Sequence, residues 1–298
     1  GTRSNALAVR TGEDMIELNH LYDVFGRMLP FDCMQMKFMQ RALVGLLILA
    51  PTAAAMGVQV INFRMAFFAD AISHSAFTGV ALGIIIGLNP YLSTPIFSVV
   101  VGVAIIAFLR KSKLAEDAVI GVFFSGVVAF GIAVVSREKN VSRDIQRFLY
   151  GDILTIEDSE IVALLILSAI IYCFLFFSYN KLLYLGLNQT LASAHKIKVA
   201  LYQYAYAFLL SLVVIFSVWA VGVLLVTAML IVPAAAARNF AKSAGQMIWY
   251  AVVIAVLSSA IGLVVSAQDW ARTATGATVI IAAFTFFISS QIILLFRK

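Results

Sequence analysis

Long runs of apolar residues, separated by short polar stretches, fill the chain from residue 39 onward. A run of about 20 apolar residues is long enough to cross a membrane as a helix. The pattern therefore predicts an all-α polytopic integral membrane protein with eight or nine transmembrane helices. The predicted spans are residues 41–60, 67–88, 91–109, 118–135, 161–183, 202–219, 222–237, 247–267 and 274–296. The run at 222–237 is short and contains Pro233, so we expect it to be broken or to span only partly.

Residues 1–38 mix polar and apolar positions and form a separate N-terminal segment. We regard residues 1–6 as a cloning remnant and expect an interfacial amphipathic helix at 15–28. Residues 39–298 are predicted to form a single transmembrane domain, because spans take up its length and leave no room for a soluble domain.

Composition supports the membrane assignment. Charged residues make up 12% of the 298 residues and hydrophobic residues 62%, whereas a soluble domain carries about 25% charged residues. Two cysteines, Cys33 and Cys173, are too few for a disulfide framework. The net charge is +6, and the positive residues cluster in short loops between apolar runs. This clustering indicates membrane topology rather than binding to nucleic acid.

Positive residues also orient the chain, because lysine and arginine are enriched in cytoplasmic loops. They recur at alternate connections, which are therefore expected to be cytoplasmic. These residues are Arg64, then Arg110, Lys111 and Lys113, then Lys181, Lys196 and Lys198, then Arg238 and Lys242, then Arg297 and Lys298. With nine spans, the N-terminal segment and the net acidic loop at 137–160 then lie outside.

Asp70 and His74 stand out in the second apolar run, because a charge within hydrocarbon costs on the order of 3 kcal/mol. Residues four apart share one face of a helix and lie about 6 Å apart along its axis. His74 follows Arg64 by ten residues, which is about 15 Å of helix. This distance puts the pair near the middle of a hydrocarbon core about 30 Å thick.

Three interpretations of this pair are open: a transition-metal site, a proton relay, or a structural hydrogen bond between helices. Zinc usually takes four N, O or S ligands, so one Asp and one His are not enough. Two copies related by a two-fold axis would supply four ligands, a set that suits zinc or manganese and also iron. An adjacent stripe of small residues predicts close packing of this helix on another. The stripe is Ala71, Ser75, Gly79, Gly83 and Gly87.

The polar segment at 188–198 follows a long span and is cytoplasmic by its charge. Asn188 or Thr190 can cap a short helix there, with Leu191 and either Ala194 or Ile197 on a modest apolar side. Such a helix docks into a groove of a partner protein or lies on the membrane surface as a linker, and periodicity alone does not separate these two. We interpret His195 as a solvated surface histidine.

Motifs for enzymatic chemistry are absent from the sequence. It contains no GxxxxGK[ST] phosphate loop, no HExxH and no GxSxG. Its three histidines, His20, His74 and His195, make a hydrolase site within one chain hard to assemble. We therefore expect no enzyme activity and no cofactor in this chain, and any ATP hydrolysis would belong to another subunit.

Three segments, in this order, resemble the permease subunits of bacterial zinc/manganese ABC transporters, the ABC-3 family. Residues 68–83 contain Asp-Ala-Ile-Ser-His followed by Gly-Val-Ala-Leu, similar to the family pattern D-A-[IL]-S-H…G-[VI]-A-L. Residues 148–154 are similar to L-[FY]-G-[SD]-[IL]-L, and residues 222–238 to G-x-L-L-V…P-A-A-x-A-R. The ordered set is more specific than any one piece, and the resemblance covers about residues 39–296.

The resemblance implies a homodimeric permease of the bacterial cytoplasmic (inner) membrane, surrounded by lipid. Its partners would be an ATP-binding subunit and an extracytoplasmic metal-binding protein, and its cargo a divalent metal ion. Asp70 and His74 would be the metal ligands. The segment at 188–198 would be the coupling helix that contacts the ATPase through Asn188, Thr190, Leu191, Ala192, His195 and Lys198. The chain departs from the family at Asn188 and Gln189, where Asp-Pro is common, and at His195, where Gly is common.

Two other functions remain alternatives. A proton-coupled secondary carrier would also use an intramembrane Asp and His, but it would need no ATPase. A siderophore- or cobalamin-type ABC permease would share the coupling segment, but its larger cavity would need no pair of metal ligands.

Overall fold

The computed structural model describes residues 35–136, 153–271 and 273–296. Within these ranges nine helices are long and apolar enough to cross a membrane, and no strand occurs, which confirms the all-α polytopic prediction. The helices are α1 (Lys37–Asn62), α2 (Phe68–Ile86), α3 (Pro90–Leu109), α4 (Glu116–Val135), α5 (Asp158–Leu187), the short α6 (Gln189–Ala194), α7 (Val199–Val221), α8 (Val223–Phe240), α9 (Ala244–Ser266) and α10 (Thr275–Phe296). A 3-10 helix at Ile153–Thr155 precedes α5.

Some predictions fall outside the described residues. They concern the interfacial helix at 15–28, His20, Cys33, the part of the acidic loop at 137–152, and Arg297 and Lys298. Cys173 on α5 is free and exposed.

α1 lies at the centre of the bundle. In its most apolar stretch 78% of the residues are buried, against 17% for α4 and for α10. α1 packs against α5, α8 and α9, and the buried Tyr206 hydroxyl of α7 donates a 2.8 Å hydrogen bond to the carbonyl oxygen of Met56. Close packing and such hydrogen bonds between helices stabilise a bundle in lipid.

The run at 222–237 forms a continuous helix rather than a broken one. The 18 residues of α8 include Pro233 and extend about 27 Å at 1.5 Å per residue. The expected break at Pro233 is therefore wrong, and of the two predicted counts, nine fits the described residues. Pro233 lacks a backbone donor, but α8 packs against α1, α9 and α10, and such packing accommodates proline in a membrane helix.

The backbone breaks instead at Gly222, the single residue between α7 and α8. Its φ of 88° and ψ of 161° lie in a region that only glycine adopts readily. One glycine therefore sets the angle at which α8 leaves α7.

The small residues of α2 pack closely against α3, as the sequence predicted. The Ser75 hydroxyl donates a 2.8 Å hydrogen bond to the Ser98 hydroxyl, and the Ser93 hydroxyl donates a 2.9 Å bond to the carbonyl oxygen of Gly79. Gly87 differs, because it ends α2 with a φ of 76°. The contact with α3 therefore fixes one side of α2 and leaves the opposite side for other helices.

The connections after the first, third and fifth spans meet at one end of the bundle. A polar cavity of about 520 Å³ there is lined by Arg64, Arg110 and Asn188, among others. At the other end, Arg41 of α1 and Asp158 of α5 form an ion pair with an N–O distance of 2.8 Å. The arrangement agrees with the topology drawn from charge, which puts those three connections on the same side.

Candidate functional site

Asp70 and His74 lie on one face of α2, one turn apart. Asp70 is in the first turn of the helix. Both residues are half-buried, whereas their neighbours Ala71, Ser73 and Ser75 are fully buried. The two side chains are close enough for their charges to interact. α2 thus buries its other faces and leaves this polar pair partly accessible.

Two neighbouring helices flank the pair. The ring of Phe124 on α4 meets the His74 imidazole edge-on, with the ring centroids 5.1 Å apart and the planes at 82°. α8 also packs against α2. The ring contact from α4 therefore holds the imidazole directly.

The pair lies well inside the bundle along the helix axes. Phe124 is the ninth of the 20 residues of α4, so His74 is level with the middle of that helix. The ring of Phe68, which begins α2, lies beside Gly102. Gly102 precedes Leu109, the last residue of α3, by about 10 Å of helix. α2 therefore begins about 10 Å inside the bundle, measured from the end of α3. Asp70 consequently lies deeper in the bundle than its place in the first turn of α2 would suggest.

The pair supplies one oxygen and one nitrogen donor. In the part of the chain that the structure describes, no group of three or more His, Cys, Asp or Glu side chains is arranged to bind a metal. A zinc ion usually takes four ligands. One chain can therefore bind a divalent cation here only as part of a larger set of ligands.

The second candidate region, α6, forms where the sequence predicted a short helix. The Asn188 Oδ1 atom accepts hydrogen bonds from the backbone N–H of Thr190 at 2.8 Å and of Leu191 at 3.2 Å. Asn188, rather than Thr190, is therefore the cap. Ala192 is buried, whereas Leu191 is 43% exposed, so α6 packs through Ala192 and presents Leu191 outward.

Aromatic contacts hold the end of α6 to α5 and hold α5 to α7. The His195 ring, directly after α6, lies at a tilt over the ring of Tyr184 on α5, with centroids 5.0 Å apart. The Lys181 ammonium lies 5.1 Å from the centroid of the Tyr202 ring on α7, a cation–π distance. His195 and Lys198 are exposed. His195 is a surface residue as predicted, and its ring also ties α6 to the end of α5.

The structure brings Asp70 and His74 together and keeps the residues at 188–198 in a separate region beside the polar cavity. It adds two residues that the sequence did not indicate: Phe124 beside His74 and Tyr184 beside His195. No pattern marks Phe124 among the other phenylalanines of the spans.

The chain is similar in sequence to permeases of known metal-uptake systems. The chain is 31% identical over 249 residues to the high-affinity zinc uptake system membrane protein ZnuB of Haemophilus influenzae, covering 83% of this chain and 95% of that protein. It is 30% identical over 253 residues to the manganese import system permease protein ScaB of Streptococcus gordonii, covering 85% of this chain and 90% of that protein. The solved structure of PsaBC from Streptococcus pneumoniae in complex with Fab matches with a TM-score of 0.73 at 30% identity, covering 86% of this chain and 91% of that chain.

The ABC 3 transport family matches residues 35–294, which include all of α1 and nearly all of α10. The family match agrees with the apolar helices of the described residues and confirms the resemblance drawn from the ordered segments. The chain therefore belongs to the ABC 3 transport family and is a multi-pass permease of the bacterial cytoplasmic (inner) membrane.

Proposed function

We propose that the chain is the transmembrane permease subunit of an ATP-driven importer of a divalent transition metal. Zinc and manganese are the first candidates for the cargo, and iron is the third. The observation that carries the proposal is the Asp70–His74 pair, half-buried and level with the middle of α4. Ionisable groups inside a membrane mark ion pathways and proton relays. The zinc and manganese systems named among the relatives support a metal.

Two copies of the chain complete the site. Each copy brings one carboxylate and one imidazole, and no third ligand of these types accompanies them within the described residues. A two-fold axis beside α2 would bring both pairs together and supply the four ligands that zinc usually takes. The homodimer is therefore part of the proposal, because one chain alone leaves the ion underliganded.

ATP hydrolysis takes place on a partner chain. The sequence has no phosphate-binding loop, and α6 is a short capped helix whose exposed Leu191 faces away from the bundle. We assign α6 and the flanking residues Asn188, His195 and Lys198 to the contact with an ATP-binding subunit. The tilted contact of His195 on Tyr184 would pass a movement of α6 to α5.

In the resulting cycle, an extracytoplasmic metal-binding protein delivers the ion to the outer side of the homodimer. The Asp70 carboxylates and the His74 imidazoles replace the ion's water ligands. An imidazole must be neutral to bind a metal, so binding competes with protonation of His74. Movement of α6 during ATP hydrolysis then separates the two copies of the site and opens it inward.

The test is uptake of radioactive Mn²⁺ or Zn²⁺ into proteoliposomes that contain the assembled complex. Asp70→Asn and His74→Ala should each abolish uptake while the complex still co-purifies with its ATP-binding subunit. Asp269→Asn is the matched control, because Asp269 is exposed in the connection between α9 and α10. Wild-type uptake by both site variants would refute the site assignment.

The same preparation separates the alternative functions. Uptake that proceeds without ATP and follows a proton gradient would indicate a secondary carrier. Competition by a siderophore or a cobalamin, with no effect of free metal ions, would indicate the larger-substrate permease. Elemental analysis of the purified complex then identifies which metal it binds.

A further inference from the structure

A groove away from both candidate regions lies between the end of α8 and the first half of α9. It has a volume of about 470 Å³ and is lined by Phe240, Lys242, Gln246, Tyr250, Val253 and Ile254. Phe240 ends α8 and Lys242 lies in the connection, whereas the other four residues follow at intervals of about one turn along α9. Residues at this spacing share one face of a helix, so the groove runs down that face from the connection.

The lining of the groove changes from polar to apolar along its length. Lys242 and Gln246 lie at the connection, and Ile254 lies about 12 Å further along α9 than Gln246. Lysine and arginine assign this connection to the cytoplasmic side. Trp249 and Tyr250 lie between the two ends and are 71% and 40% exposed, and such aromatic residues are enriched at the level of the lipid headgroups. The polar end therefore faces the headgroups, and the apolar end faces the hydrocarbon of the cytoplasmic leaflet.

The polar end carries positive charge that no carboxylate of the described residues neutralises. Lys242 is exposed, and Arg238 in the last turn of α8 adds a second cation next to the same connection. Neither forms an ion pair within the described part of the chain. The sequence also contains no Asp or Glu from residue 161 to residue 268. This end of the groove is thus complementary to an anionic group.

Hydrogen bonds fix the turn that forms the polar end. The Gln246 Oε1 atom accepts a 2.9 Å hydrogen bond from the backbone N–H of Lys242, and the Ser243 hydroxyl accepts a 3.3 Å bond from the backbone N–H of Gln246. The Gln246 Nε2 atom donates to none of the described residues, so its two N–H groups remain for a ligand. The Tyr250 hydroxyl, one turn deeper, is a further donor. The groove therefore combines a cation and neutral donors above an apolar surface.

We propose that this groove binds an anionic phospholipid of the cytoplasmic leaflet, with its phosphate at Lys242 and an acyl chain along Val253 and Ile254. Basic pockets between transmembrane helices on the cytoplasmic side recognise anionic headgroups. A free phosphate would match the polar end but would leave the apolar half of the groove unused, so the lining favours a lipid. The proposal does not depend on the metal site, because α9 carries none of the residues assigned to that site.

Native mass spectrometry of the complete complex with its ATP-binding subunit tests the proposal. The complex is titrated with phosphatidylglycerol and, separately, with phosphatidylcholine, and the Kd of the tightest-bound lipid is measured. One lysine near an anionic lipid surface contributes about fivefold to affinity. We expect Lys242→Ala to weaken binding of phosphatidylglycerol by about that factor and to leave phosphatidylcholine unchanged. Lys242→Arg keeps the charge and should bind both lipids like the wild type.

A second variant tests the apolar half of the groove. Val253→Gln places an amide beside the acyl chain and should weaken binding of both lipids, because the chain is common to them. Lys113→Ala is the matched control for charge, since Lys113 is exposed in the connection between α3 and α4 and does not line the groove. Equal losses of phosphatidylglycerol binding in Lys113→Ala and Lys242→Ala would overturn the proposal, because the general surface charge would then account for binding.

The same titrations identify other occupants of the groove. Displacement of phosphatidylglycerol by an equal concentration of inorganic phosphate would overturn the lipid assignment, because the groove would then recognise the phosphate without a chain. Loss of the ATP-binding subunit from Lys242→Ala, with unchanged binding of phosphatidylglycerol, would assign the groove to a protein contact and would also overturn it. Wild-type lipid binding by both Lys242→Ala and Val253→Gln would show that no lipid binds there.

Discussion

The His74 imidazole and the Phe124 ring form an edge-to-face pair across α2 and α4, with centroids 5.1 Å apart and planes at 82°. Phe124 has no hydrogen-bonding atom, so it holds the imidazole by ring-to-ring contact and by the electrostatic attraction of an edge-to-face pair. It restricts rotation of the ring without occupying either ring nitrogen. A ligand held in one orientation before binding loses less conformational freedom when the ion arrives.

Replacing Phe124 with alanine should therefore weaken metal binding. Edge-to-face pairs contribute about 0.5–1.5 kcal/mol beyond burial, which corresponds to a factor of about 2 to 13 in affinity. Calorimetric titration of the purified complex with Mn²⁺ measures the change. Phe123→Ala is the control, because Phe123 packs against Phe108 instead. Equal losses in both variants would show that bulk in α4, and not the contact with His74, affects binding.

The exposed Leu191 should be needed for assembly with the ATP-binding subunit. Leu191 is 43% exposed on α6, while Ala192 is buried, so a partner would contact Leu191 first. Burying a leucine contributes about 1.5–3 kcal/mol, so Leu191→Asp should weaken association by about tenfold or more. Co-purification and binding of the ATP-binding subunit to the immobilised permease test this. Leu191→Met keeps the apolar contact and should bind normally, and unchanged binding of Leu191→Asp would argue against a coupling role for α6.

The transmembrane helices were predictable because the hydropathy signal is long and repeated, but their ends were less so. α5 begins at Asp158 rather than Ile161, because Glu157 and Glu160 form a capping box ahead of the apolar run. It continues to Leu187, past the charged Lys181, until Asn188 ends it and caps α6. Caps end helices, whereas hydropathy reports only where the apolar core ends.

The site was only half predictable for a related reason. Asp70 and His74 lie on one helix, so spacing alone puts them on one face. Phe124 comes from another helix, and its contact with His74 depends on how α4 is rotated and tilted against α2. That rotation is set by close approaches such as Gly131 of α4 on Thr78 of α2, which one sequence does not reveal.

The approach of α1 to α8 leads to a third prediction. A Cβ atom on Gly57 would overlap the backbone carbonyl of Leu230, and a backbone group cannot move aside as a side chain does. Overpacking of this kind costs about 1–3 kcal/mol or more, so Gly57→Ala should lower the thermal stability and yield of the complex. Gly126→Ala on α4 is the control, since no atom lies within 4 Å of its Cβ position. Equal stability of the two variants would contradict the close approach of α1 and α8.

Gly222 is the last position where one added methyl group should have a large effect. Its φ of 88° and ψ of 161° cost other residues on the order of 1–3 kcal/mol. Gly222→Ala should therefore lower the unfolding temperature of the complex. It should also raise the KM for Mn²⁺ uptake, because α8 packs against α2, which carries Asp70 and His74, and would leave α7 at a different angle.

Gly121→Ala provides the opposite expectation for the same chemical change. Gly121 lies inside α4 with no atom within 4 Å of its Cβ position, and alanine is favoured over glycine in a helix by roughly 0.5–1 kcal/mol. This variant should be as stable as the wild type or slightly more stable, with unchanged uptake. Suppose instead that Gly222→Ala and Gly121→Ala shift the unfolding temperature in the same direction. The glycine-specific backbone conformation of Gly222 is then not what sets the angle between α7 and α8.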